Sequence, residues 1–177
     1  MSHRVTRGLA WITWILAASL ALGKTSGATS PNSIDQAIQN ALVRLPFYTV
    51  FDYLSFRLDD GTVTLEGEVT RADLMNDAQK AVRQVPGVTR VNNRVQVLPL
   101  SASDGRMRLA EYLAVYGVEG LGVYTMRPNP SIHIVVRNGN VTLEGTVDSA
   151  EDKALAFSQA SSVAGVQSLT DHLRVKS

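Results

Sequence analysis

The sequence predicts an α+β fold: two tandem αββαβ domains, each a small three-stranded mixed sheet packed by two helices. Three observations predict it. The phrase GTVTLEG (Gly61–Gly67) returns as GNVTLEG (Gly139–Gly145), 78 residues further on. Between Gly61–Pro99 and Gly139–Ser177, thirteen of 39 positions agree without a gap, and a repeat of this kind marks a supersecondary unit built more than once. Each phrase also starts at a turn dipeptide, Asp60-Gly61 or Asn138-Gly139, set between alternating apolar runs, the strongest short-range hairpin signal.

The first 28 residues are a different material. Arg4 and Arg7 precede the apolar run Leu9–Gly23, and small residues close the segment at Ser26–Ala28. This pattern predicts a secretory signal peptide cut after Ala28. The other reading is a retained anchor, but the run Gly8–Gly23 falls short of the roughly 20 residues that span a bilayer. Residues 29–32 then form a short tail, 33–99 the first domain, 100–103 a polar linker and 104–177 the second domain.

Each domain opens with a helix. Ser33 with Gln36 reads as a capping box in the first copy, ahead of a stripe of Ile34, Ile38, Ala41, Leu42 and Leu45. In the second copy Ser103 or Asp104 is the expected cap, and Leu109, Tyr112, Leu113 and Tyr116 the stripe. The hairpins follow. A two-residue turn fixes the register, so Leu58 faces Val63, Phe56 faces Leu65 and Leu54 faces Gly67. In the second copy Val136 faces Val141, Ile134 faces Leu143 and Ile132 faces Gly145. Each glycine falls on the apolar face, where it is expected to let a helix approach the sheet. A second helix is expected from Thr70 with Asp73, and from Asp148 with Glu151, both capping boxes in form. Pro86-Gly87 and Ala164-Gly165 end these helices. A last strand carries Val91, Val95 and Val97, or Leu169, Leu173 and Val175. The crossover helix makes it parallel to a hairpin strand.

Composition removes several function classes. There is no cysteine, which excludes disulfides, a Cys nucleophile, thiolate metal sites and N-terminal lipidation. The whole chain has 17 bases and 16 acids. Without residues 1–28 it would keep 14 bases against the same 16 acids, so no basic balance points to nucleic acid.

The stretch GTVTLEGEVTRADLMNDAQKAVRQVPGVTRVNNRVQVLP resembles a BON domain, the small repeat of OsmY-like periplasmic proteins. The resemblance rests on G-x-V-x-L-x-G-x-V, an alanine-rich helix, V-x-G-V and the closing VNNRVQV. The second copy matches through Gly139–Val175 but closes with LTDHLRV. The resemblance implies a two-domain, non-enzymatic periplasmic protein associated with phospholipid surfaces, envelope integrity and stress. The alternative it implies is a chaperone or holdase for envelope proteins. It carries no catalytic residues and no cofactor.

Candidate sites in the residues themselves are few. Glu66 and Glu144 could be acid–base carboxylates, but the register puts each on an outward strand face, opposite Ser55 and His133, with no second acid beside it. His133 and His172 stand apart from any cluster at metal-ligand spacing. GVEGLG (Gly117–Gly122) lacks the strand–turn–helix setting of a nucleotide site. Two stretches offer more. PFYTVFDY (Pro46–Tyr53) holds four aromatic residues, and its counterpart Gly117–Pro130 mixes Leu121, Val123, Tyr124 and Met126 with Arg127. The plainer expectation is that these side chains close each core or the joint between domains. The second stretch is the better candidate for contact with a membrane surface or an envelope partner, because the two copies diverge most there.

Overall fold

The computed structural model describes residues 31–126 and 130–176. The expected signal peptide, 1–28, lies outside the described residues. In chain order the first domain holds α1 (Pro31–Val43), β1 (Tyr53–Asp59), β2 (Thr62–Val69), α2 (Ala72–Arg83), β3 (Arg90–Asn93) and β4 (Gln96–Val97). The second holds α3 (Ala102–Tyr116), a 3₁₀ turn at Gly122–Tyr124, β5 (Ile132–Arg137), β6 (Asn140–Val147), α4 (Ala150–Ser161) and β7 (Ser168–Val175).

The expected αββαβ order is present twice, and the hairpin registers are those the turns impose. Phe56 pairs with Leu65 and Leu54 with Gly67; Ile134 pairs with Leu143 and Ile132 with Gly145. The last strand runs parallel to the central strand in both domains. In the second it is continuous, β7 along β6. In the first it is broken into β3 and β4, both paired with β2. Asn93 and Asp171 explain how LTDHLRV stands in for VNNRVQV. Each side chain accepts the backbone N–H two residues on, Val95 at 3.1 Å and Leu173 at 2.8 Å.

Each sheet packs one face against its two helices. The first core joins Ile38 and Leu42 of α1 to Leu54, Val63, Leu65 and Val69 of the sheet and to Leu74, Ala78 and Val82 of α2. The second joins Val115 and Tyr116 to Ile132, Ile134, Val141 and Leu143, with Ala156 and Ala160 of α4.

Four local expectations are corrected. α1 includes Pro31 and Ser33, so Ser33 is not its cap and residues 31–32 are helix rather than tail. Ser101 caps α3, accepting from Asp104 N–H at 3.2 Å, because the Asp104 carboxylate is engaged elsewhere. α2 starts after Arg71 and α4 after Ser149. Thr70 is not a cap because its N–H and hydroxyl both donate to Asp52, whereas Ser149 accepts from Asp152 N–H at 3.0 Å.

The fourth correction concerns Gly67 and Gly145. Helix approach is not what requires them. Their φ values are +130° and +117°, and a Cβ would lie 2.0 Å from the Tyr53 carbonyl oxygen and 2.1 Å from that of Ser131. The cross-strand backbone, not a helix, occupies the space. Gly145→Ala should therefore cost about 3 kcal/mol or more, combining strained φ with a backbone clash. Gly105→Ala, inside α3 with nothing within 4 Å of the added carbon, should gain about 0.5–1 kcal/mol. Urea unfolding of both variants checks the pair.

Candidate functional site

The segment between α1 and β1 fastens the domains together. Asp52 is fully buried, and its carboxylate accepts four hydrogen bonds. Thr49 gives its N–H (2.9 Å) and hydroxyl (2.7 Å), and Thr70 gives its N–H (2.6 Å) and hydroxyl (2.8 Å). A carboxylate so satisfied tolerates burial. The turn it locks presents Val50 and Phe51 outward, into the core of the second domain. The Val50 carbonyl accepts from Ile134 N–H at 2.7 Å, and Phe51 meets Tyr112 edge-on, centroids 6.2 Å apart. The aromatic stretch thus closes the joint.

His133 is buried in this joint. Its ring lies 5.4 Å from that of Tyr48 and 5.7 Å from that of Tyr53. Burial pulls the imidazole below its ordinary range, opposed by backbone carbonyls and the Asp52 charge. The outward face of β5 is therefore not solvated as expected. Glu144, across from His133, is partly covered and pairs with His172 at 2.7 Å. Glu66 stays half-exposed, 3.6 Å from Arg94. The two glutamates face different partners in different domains and form no acid pair. Arg137 adds an ion pair to Glu68 and a 3.0 Å bond to Gln96 across the joint.

α3 is turned differently from the expected stripe. Asp104, Glu111, Val115 and Tyr116 are its buried residues, while Leu109 and Leu113 are 57% and 61% exposed. The reason lies at the rim of the second sheet. β5 is an edge strand, and Ile132, Ile134 and Val136 point their backbone groups away from β6. Tyr116 hydroxyl donates to the Ile132 carbonyl, and Arg108 donates to the Val136 carbonyl at 2.7 Å. The Asp104 carboxylate accepts the turn amides of Asn138 (2.8 Å) and Gly139 (3.0 Å). A helix that seals the edge with these side chains must turn Leu109 and Leu113 outward.

The outward side of α3 carries Arg106, Leu109, Ala110 and Leu113, all exposed. Both acids of the helix, Asp104 and Glu111, are inside. No described group hydrogen-bonds the Glu111 carboxylate oxygens. Burial without a charge partner pushes this carboxyl up to about 7.

The residues expected in a contact site divide. Leu121 and Tyr124 are buried in the second core; Tyr124 hydroxyl donates to Asp152 at 2.6 Å and accepts Asp148 N–H at 2.8 Å. Val123 is 51% and Met126 85% exposed. Arg127 lies outside the described residues. Leu109 and Leu113 were missed because apolar residues at helical spacing read as core. The available signal was Asp104, Arg108 and Glu111 at the same spacing, a polar stripe on the opposite side. No cluster of three or more metal-ligating side chains occurs among the described residues. No described helix is long and apolar enough to cross a membrane.

The BON domain family matches residues 54–99 and 121–177. The chain belongs to the BON domain family. Both repeats match, so the duplication is two BON domains, and the family points to a non-catalytic protein. Osmotically-inducible protein Y of Escherichia coli (strain K12) is 27% identical over 124 residues, covering 70% of this chain and 62% of that protein. The aligned part thus spans less than two thirds of the relative. Two solved structures of CdsD, a structural protein of the type III secretion system of Chlamydia trachomatis, each cover 80% of the chain. They cover 96% and 91% of their own lengths at 13% and 14% identity, with TM-scores of 0.28 and 0.27. At those scores they carry no argument about this BON protein.

Glu111 gives a test by pH. Its folded value, about 7, lies above the ordinary 4.5, so the folded chain holds the proton longer. Its contribution is full below pH 4.5, is lost as pH rises through 7, and then levels off. Glu111→Gln should remove that decline and be more stable than the wild type at pH 8 by about 1 kcal/mol or more. Thermal unfolding of both proteins from pH 4 to 8 measures it.

Proposed function

We propose that this BON protein is a non-enzymatic, periplasmic binding module that attaches to phospholipid surfaces of the envelope through its second domain. The observation that carries the reading is the outward side of α3. Two leucines and Ala110 flank Arg106 there, and both acids of the helix are buried. Exposed leucines beside a base suit an interface where apolar side chains enter the acyl boundary and the cation meets lipid phosphate. Val123 and Met126, on the segment that follows, add exposed apolar tips. The slight overall excess of acid expected for the exported chain does not oppose this, since α3's own acids do not reach the surface. The osmotic induction in the name of the relative from Escherichia coli, and the signal-peptide pattern, favour a role in envelope stress.

The test is flotation of the protein, lacking residues 1–28, with phosphatidylethanolamine–phosphatidylglycerol vesicles at low salt. Binding is expected, with Leu109→Ser/Leu113→Ser lowering the partition constant about a hundredfold, since each of the two leucines contributes roughly 1.5 kcal/mol when buried. Arg106→Glu should weaken it further, and more at low than at high salt. If the wild type stays at the bottom, the membrane reading fails. Suppressed aggregation of a denatured client without lipid would then put the holdase reading in its place.

A further inference from the structure

The two sheets treat the same edge in opposite ways. In the second domain, side chains of α3 and the Val50 carbonyl meet an outward backbone group on each of Ile132, Ile134 and Val136 of β5. In the first, β1 is the matching edge strand, and the register directs the N–H and C=O groups of Leu54, Phe56 and Leu58 away from β2. Tyr48 hydroxyl meets Leu54 N–H at 3.2 Å. No described residue meets the backbone groups of Phe56 or Leu58.

The sequence shows why. The helices correspond at an offset of 73 residues: Ile34 and Met107 face the equivalent glycines Gly87 and Gly165, and the buried Ile38 and Leu42 match the buried Glu111 and Val115. The three sealing residues Asp104, Arg108 and Tyr116 thus correspond to Pro31, Asp35 and Val43. Proline and valine have no side-chain donor or acceptor, and the Asp35 carboxylate cannot donate to the Leu58 carbonyl as Arg108 donates to that of Val136, so α1 does not seal β1. A groove follows the unsealed edge. A space of about 390 Å³ lies between Phe56 and the α1 residues Asp35, Gln36 and Gln39. A second of about 430 Å³ continues past Leu58 to Asp60 and shares Asp35. Its charged walls are acids.

We propose that the β1 edge docks an extended strand of a partner polypeptide, antiparallel or parallel, with a basic residue toward the hairpin tip. Unmet backbone groups on alternate residues specify a backbone partner, and an extended peptide supplies matching groups at that spacing. Asp35 and Asp60 at one end specify the charge. This surface lies in the first domain, apart from the lipid contact proposed for α3.

The probe is an end-blocked, fluorescently labelled peptide, Lys-Thr-Val-Thr-Val-Thr-Lys, titrated into the protein lacking residues 1–28 and read by anisotropy. Saturable binding is expected. The same peptide N-methylated on alternate amides, which cannot add a strand, should bind at least about tenfold more weakly, as two lost hydrogen bonds imply. Exchanging both lysines for glutamates should weaken binding about fivefold. Gln39→Trp narrows the groove from an exposed position, and Phe56→Pro removes the outward N–H where an edge strand tolerates proline. Both should abolish binding, and Gln39→Trp should leave vesicle flotation unchanged. Equal binding of the methylated peptide, or full binding by Gln39→Trp, overturns the proposal. So does a concentration-dependent dimer in sedimentation that Gln39→Trp abolishes, because a second copy would then fill the edge.

Discussion

A strand at the rim of a sheet leaves every second N–H and C=O without a partner, and buried groups of this kind must find one. This constraint at β5 organises the molecule. Ile134 N–H turns to the Val50 carbonyl of the other domain, Val136 to Arg108, Ile132 to Tyr116, and the turn amides to Asp104. Asp52 holds the turn that delivers Val50. From this follow the joint between domains, the burial of His133 and the orientation of α3.

Much of this was legible beforehand, and the rest failed for identifiable reasons. The Asp60-Gly61 and Asn138-Gly139 turns fix register by local chemistry, so every predicted facing pair recurs in the sheets. Gly67 and Gly145 were placed on the correct face, but their reason, a cross-strand carbonyl 2 Å from any Cβ, is a three-dimensional fact. Thr70 looked like a helix cap because nothing local shows that Asp52, 18 residues earlier, takes both its donors. α3 was misread because apolar periodicity assumes that leucines go inward. Polar side chains that meet the sheet edge take the inward positions instead, since buried backbone groups must be paired while an exposed leucine is common on a folded surface.

The divergence between the copies has a functional consequence. The same αββαβ unit, built twice, carries an apolar inward helix in the first domain and a sealing, partly polar one in the second. The second helix thereby acquires a cationic, leucine-bearing outer side, and the first leaves an open edge along β1. Of the proposed contact residues, Val123 and Met126 face solvent, whereas Leu121 and Tyr124 serve the core.

The central claim is that one edge is sealed and its twin is not. Amide hydrogen exchange of the protein lacking residues 1–28, resolved by residue with NMR, tests it most directly. The account predicts that Ile134 N–H exchanges as slowly as the ladder amides of β6, while Phe56 and Leu58 N–H exchange near the rate of free peptide. Fast exchange at Ile134, or protection at Phe56 and Leu58 equal to it, would contradict the account.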